Sequence, residues 1–132
     1  MNILCLDYGS RYVGVAYCGE DGISLRHGVI DQKRQDVLDE VKMIVAEEKV
    51  KKIIIGVPLN LQGEETAQTH VSLKFIEKLR ERLGETVEIE GADETLTSKE
   101  AARQIQFEGG KKEDEHAEAA RLMLESYLNG RG

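Results

Sequence analysis

With 132 residues, 40% of them hydrophobic and 33% charged, the chain is long enough to bury a real core and too apolar to be disordered. No run approaches the roughly 20 apolar residues of a membrane span, and the N-terminus starts a strand rather than a signal peptide. A single domain over residues 1–132, cytoplasmic and with no membrane partner, is therefore expected. The net charge of −7 argues against a general affinity for polyanions, though a metal-dependent nuclease needs acids of its own.

The first apolar run, Ile3 to Leu6, ends at Asp7, and Tyr8-Gly9-Ser10-Arg11 separates it from a second run beginning at Val13. Two readings of this segment are open. Asp7 starts a turn between strands, or it is a strand-end carboxylate that binds a cation, with Gly9 allowing close backbone approach and Arg11 forking onto phosphate. Strands are predicted near residues 2–7, 11–18 and 23–30, the last two joined at Glu20-Asp21-Gly22. Cys5 and Cys18 sit in adjacent apolar runs and read as reduced core thiols, since nothing marks the chain for export.

A helix follows from about Arg34 to Glu48, with Val37, Leu38, Val41, Ile44 and Val45 on one stripe. Lys52 to Val57 is a β-branched run expected to form a central strand buried on both faces. Pro58-Leu59-Asn60 ends it and opens a loop. The next helix, roughly Thr66 to Leu83, should turn Val71, Phe75, Ile76, Leu79 and Leu83 to the core and close at Gly84. A fifth strand over residues 86–90 delivers Asp93 and Glu94, and alternation does not decide between these two acids because Gly91 intervenes.

Thr97 and Glu100 form a capping box for a further helix, followed by the basic loop Gly109-Gly110-Lys111-Lys112. The last helix starts near Asp114. Asp114, Glu118, Arg121 and Glu125 fall on one polar stripe, and His116, Ala120, Met123, Leu124 and Tyr127 on the opposite apolar side. His116 is either a hydrogen-bonded core residue or an imidazole aimed at the strand ends, where sites of open α/β sheets collect. The order β-β-β-α-β-α-β-α-α implies an α/β fold: a five-stranded mixed sheet with helices on both faces. Asp7, Glu94 and His116, from three distant segments, would suit one or two divalent cations in phosphodiester hydrolysis, with Mg²⁺ or Mn²⁺ favoured. Basic clusters at Lys49, Lys51 and Lys52, and at Lys78, Arg80 and Arg82, matter for binding only if they converge.

At these residues the chain resembles the YqgF/RuvX family. Its members are RNase H-like proteins described as pre-16S rRNA processing nucleases and earlier as Holliday-junction resolvases. Leu6-Asp7-Tyr8-Gly9-Ser10-Arg11-Tyr12-Val13-Gly14-Val15-Ala16 is similar to the family's opening Asp-x-Gly motif. Ile55 to Gly63, Asp93 to Ser98, and His116 to Ala120 with Glu125 to Leu128 resemble three later motifs in the same order. The resemblance implies an RNase H-like fold and a metal site of Asp7, Glu94 and His116, holding Mg²⁺ or Mn²⁺. His116 stands where the family has aspartate, and Tyr12 and Thr95 where it usually has arginine. Asp114 and Glu115 are the alternative ligands if the last helix starts in another register.

The same resemblance implies a metal-dependent nuclease acting on structured nucleic acid, with the 5′ end of pre-16S rRNA as substrate. Arg11, Lys111 and Lys112 would face substrate phosphate, and Gly9 and Asn60 would shape the flanking loops. The alternatives are a nucleic-acid-binding or assembly protein on the same fold, and a Holliday-junction-type DNA resolvase. The Asp7-to-Ser10 turn also resembles the phosphate loop of actin- or sugar-kinase-like ATPases, which close two domains around the nucleotide; 132 residues cannot supply both. Monomer and dimer are both left open.

Overall fold

The computed structural model describes residues 2–93, 109–111 and 114–130. The expected helix beginning at Thr97, together with Glu94, Thr95 and Lys112, lies outside the described residues. Five strands form one mixed sheet in the order β3-β2-β1-β4-β5. They are β1 (Ile3–Tyr8), β2 (Tyr12–Cys18), β3 (Ser24–Asp31), β4 (Lys52–Val57) and β5 (Glu88–Asp93). β1 pairs antiparallel with β2, and β2 with β3; β1, β4 and β5 run parallel. The C-terminal ends of these three parallel strands therefore share one edge of the sheet, which β2 enters and β3 leaves.

The expected hairpin forms at Gly22, whose φ of +76° supplies the left-handed turn residue. Three helices complete the described fold: α1 (Val37–Glu48), α2 (Ala67–Leu83) and α3 (Asp114–Gly130). α1 begins later than the sequence suggests. Asp36 caps it by accepting from the Leu38 and Asp39 N–H groups, which leaves Arg34 and Gln35 in the preceding turn. Thr66 and Thr69 cap α2 reciprocally, and Gly84 ends it as expected.

Strand alternation divides the core. Leu4, Leu6, Val13, Val15, Ile53 and Ile55 pack with Val41 and Ile44 of α1 and with Phe75, Ile76 and Leu79 of α2. Ile3, Cys5, Ala16, Cys18 and Ile54 pack on the opposite face with Ala120, Met123 and Leu124 of α3. Both cysteines are buried in that second cluster and neither forms a disulfide. β4 lies between β1 and β5 and is buried through Ile53, Ile54, Ile55 and Gly56, as its unbroken apolar run implies.

Three expectations need correction. Val71 is 45% exposed, because α2 turns Thr69, Ser72, Phe75, Ile76 and Leu79 inward and Val71 sits one position off that stripe. β5 is displaced toward higher numbers: Thr86 belongs to a short 3₁₀ turn, and the strand continues through Gly91 to Asp93. The polar stripe of α3 meets solvent at Glu125 but not at Glu118. β3 carries the sheet out beneath it, so Glu118 is only 1% exposed.

Glu118 is held by two arginines. Arg121 donates to its two carboxylate oxygens at 2.8 and 2.6 Å, and Arg26 of β3 reaches Oε1 at 3.0 Å. The Ser24 hydroxyl donates to the Arg121 carbonyl at 2.9 Å, a second tie between β3 and α3. Removing one side of a buried ion pair strands the other. Glu118→Gln should therefore cost about 2–4 kcal/mol of unfolding free energy, read from the urea midpoint, and a loss below about 0.5 kcal/mol would show the network to be dispensable.

Candidate active site

Asp7 is the last α3-facing position of β1, following Ile3 and Cys5 on that face. Its carboxylate is buried, and its Oδ2 lies 2.8 Å from Nδ1 of His116, in the first turn of α3. Residues 109 positions apart are thus joined at the strand-end edge of the sheet. A buried carboxylate needs such a partner. The hydrogen bond to Asp7 raises the His116 pKa above the ordinary histidine value, against the opposing effect of burial.

The approach depends on two glycines. Gly14 is paired with Asp7 across β1 and β2. A Cβ added there would lie 1.9 Å from the His116 carbonyl oxygen and 2.5 Å from the Ala117 nitrogen, so the backbone of α3 rests directly on that of β2. At Gly9 a Cβ would come within 2.8 Å of His116 Cε1. In the sequence Gly14 stands only as part of the opening motif. The signal was present, since glycine amid β-branched residues marks close backbone approach.

The remaining predicted residues are placed as follows. Arg11 is engaged with β3: its Nε and Nη2 donate to the Asp31 carboxylate, both at 3.3 Å. That hydrogen bond is the main cause that lowers the Asp31 pKa. Asn60 organises its own loop, its Oδ1 accepting from the Gln62 and Glu64 N–H groups. Asp114 accepts from the Lys111 N–H at 3.4 Å, closing the turn before α3, and Lys111 is exposed.

Glu94 lies outside the described residues, and Asp93 ends β5. The β4–β5 ladder runs unbroken through Gly91 to Asp93. Asp93 thereby shares the side of Ile89 and Gly91, toward α2, whereas Ala92 faces the same side as Asp7. Gln32, which the sequence reading passed over, steadies the Gly9 turn by donating to the Gly9 carbonyl at 2.8 Å.

Among the described residues no group of three or more His, Cys, Asp and Glu side chains is poised to hold a metal. Asp7 and His116 nevertheless fit two adjacent positions on a small cation. Ligands about 2.1 Å from an octahedral ion lie about 3 Å apart, close to the observed 2.8 Å.

A family model described as RuvX, Holliday junction resolvase, matches residues 1–130. A protein of Syntrophus aciditrophicus named "Putative pre-16S rRNA nuclease" is 35% identical, over 98% of this chain and 89% of its own. A Coxiella burnetii protein of the same name is 34% identical, over 96% of this chain and 93% of its own. Among solved structures, Thermus thermophilus RuvC in complex with a Holliday junction substrate superposes with a TM-score of 0.59 at 14% identity, over 99% of this chain and 96% of that one. That likeness defines the architecture as RNase H-like, of the RuvC type. The chain belongs to the RuvX (YqgF) family of nucleases, hydrolases of phosphodiester bonds.

Two measurements test this geometry. Gly14→Ala should cost about 3 kcal/mol or more, the upper end for overpacking against backbone, and should separate His116 from Asp7; a near-neutral melt would refute the close approach. In metal-free buffer, the raised His116 pKa makes the pair's contribution complete below the free-histidine value of about 6.5 and lost as pH rises through the folded value. The stability difference between wild type and His116→Gln should accordingly shrink as pH rises above the free-histidine value of about 6.5, and a pH-independent difference would contradict the pairing.

Proposed function

We propose that residues 1–132 form one domain of a cytoplasmic, divalent-metal-dependent nuclease that acts on structured RNA, with precursor 16S rRNA as the substrate. The observation that carries this reading is the 2.8 Å contact between Asp7 and His116 at the strand-end edge of an RNase H-like sheet. The substrate is suggested by the name that the curated relatives share. Among the described residues no helix is long and apolar enough to cross a membrane.

Asp7, His116 and Glu94 would hold Mg²⁺ or Mn²⁺. Glu94 follows directly on β5, and the even-numbered positions of β5 up to Ala92 face Asp7's side. When bound, such an ion supplies polarisation of a phosphoryl oxygen and a lowered pKa for the attacking water. The chain's own residues set the geometry. Burial and His116 fix the Asp7 carboxylate in one orientation, and Gly9 and Gly14 leave room for the imidazole and the helix behind it. Arg11 stands at the rim with its guanidinium partly exposed, where it would steady a phosphate.

Asp7→Asn keeps the shape of the side chain and removes its charge. Cleavage of a pre-16S RNA fragment in Mn²⁺ should fall about a hundredfold or more, measured well below the variant's melting temperature so that the chain stays folded; undiminished cleavage would reject the assignment. His116→Asp replaces an imidazole with an oxygen ligand and should raise the ratio of Mg²⁺- to Mn²⁺-supported activity. A binding or assembly protein on this fold would instead show no heat of Mn²⁺ binding in calorimetry and no cleavage by the wild type.

A further inference from the structure

We infer that the cleft formed by Arg11, Tyr12, Asp31 and Arg34 is a second nucleic-acid subsite, which takes the phosphate and unstacked base of a single-stranded nucleotide flanking the one held at Asp7 and His116. This rests on the nuclease reading for its substrate and extends it to how the strand lies on the protein.

Position comes first. Tyr12 opens β2 and is paired with Asp31 at the end of β3. Tyr12 also alternates with the apolar pair Val13 and Val15 that faces α1 and α2, so it and Asp31 share the face of Asp7 and α3. The cleft, about 350 Å³ in volume, therefore continues the candidate active site across the same edge and the same face of the sheet. The Tyr12 and His116 ring centroids are 6.3 Å apart, and the Gly9 N–H donates to the Tyr12 carbonyl at 3.0 Å. A strand crossing the Asp7 site toward β3 meets this cleft next.

Its chemistry suits a phosphodiester with its base. Arg11 presents a two-pronged face that Asp31 occupies at 3.3 Å on each prong, an arrangement that phosphate oxygens match equally well. Arg34 lies 3.8 Å from the same carboxylate with 82% of its side chain exposed. Both guanidinium groups are open to solvent while the Asp31 side chain is 18% exposed, and ion pairs open on one side contribute modestly to stability, so a phosphate can compete with Asp31 for the arginines. Lys33 adds a third cation to this corner of an acidic chain. The Arg11 guanidinium also lies 4.9 Å from the Tyr12 ring centroid, and cation and aromatic together form the platform on which unpaired bases stack. Stacking of this kind requires a base already out of a helix, which selects a single-stranded flank over duplex.

The test is fluorescence anisotropy in EDTA, which separates binding from cleavage, using a hairpin RNA with and without a single-stranded extension. For the extended RNA, Tyr12→Ala should weaken binding about five- to a hundredfold, with Tyr12→Phe restoring it. Arg34→Ala should lower the slope of log affinity against log salt by about 1. Asp31→Asn keeps the Oδ1 acceptor for the Lys33 N–H but frees the arginines, and should tighten binding about two- to fivefold.

Weaker binding by Asp31→Asn, unchanged affinity in Tyr12→Ala and Arg34→Ala, or equal effects on the blunt hairpin would each overturn the inference. The nuclease reading fails separately, if wild type and Asp7→Asn cleave alike in Mn²⁺, and in that case the binding shifts in EDTA still decide the cleft.

Discussion

The contact on which the site depends is between two backbones. α3 comes down on β2 at Gly14, so close that the His116 carbonyl occupies the place a side chain would take. Because Gly14 is the ladder partner of Asp7, the first turn of α3 is referenced to the residue opposite the carboxylate rather than to a flexible loop. The rest of α3 secures that register. Ala120, Met123 and Leu124 fill the hydrophobic face, while Glu118 is gripped by arginines from its own helix and from β3. Helix position, sheet register and imidazole placement are consequently one constraint, and a shift in any of them moves His116 away from Asp7.

The charge distribution explains how an acidic chain can serve a polyanionic substrate. Three of the basic residues clustered in the sequence are engaged within the fold. Lys52 is held by Glu88, Glu90 and the Tyr127 hydroxyl, Arg80 donates to the Ile89 carbonyl, and Arg82 pairs with Asp39. These cations stitch elements together and do not converge on a surface. The Lys52 cluster sits at the start of β4, opposite the edge that carries Asp7. Arg11 and Arg34, by contrast, gather on Asp31 where β3 leaves the sheet, two strands from Asp7, so exposed cations stand at that edge in a chain with a net charge of −7.

Much of this was legible in the sequence because it rests on periodicity. The unbroken run Ile53-Ile54-Ile55 required a strand covered on both faces, and the apolar stripe from His116 to Tyr127 identified the side of α3 that meets the sheet. Asp7 and His116 were legible for the same reason: each is the polar residue ending an apolar pattern. What escaped was set by partners that only the fold supplies. Glu118 reads as a solvent residue until β3 passes beneath it, and Arg11 reads as open to substrate until the β2–β3 ladder brings Asp31 opposite its neighbour. Val71 was misplaced by one step because the polar residues Thr69 and Ser72, not another aliphatic, complete the buried stripe of α2.

The histidine at position 116 then has a physical rationale of its own. An aspartate in its place would set two carboxylates side by side at a buried strand end, and like charges at that separation oppose both ionisations unless a cation lies between them. An imidazole removes the conflict: protonated, it neutralises Asp7 directly, and neutral, it offers a nitrogen to a cation beside the same carboxylate oxygen. The fold therefore closes around Asp7 with an imidazole supplying the compensating charge, and the close approach at Gly14 holds the two together.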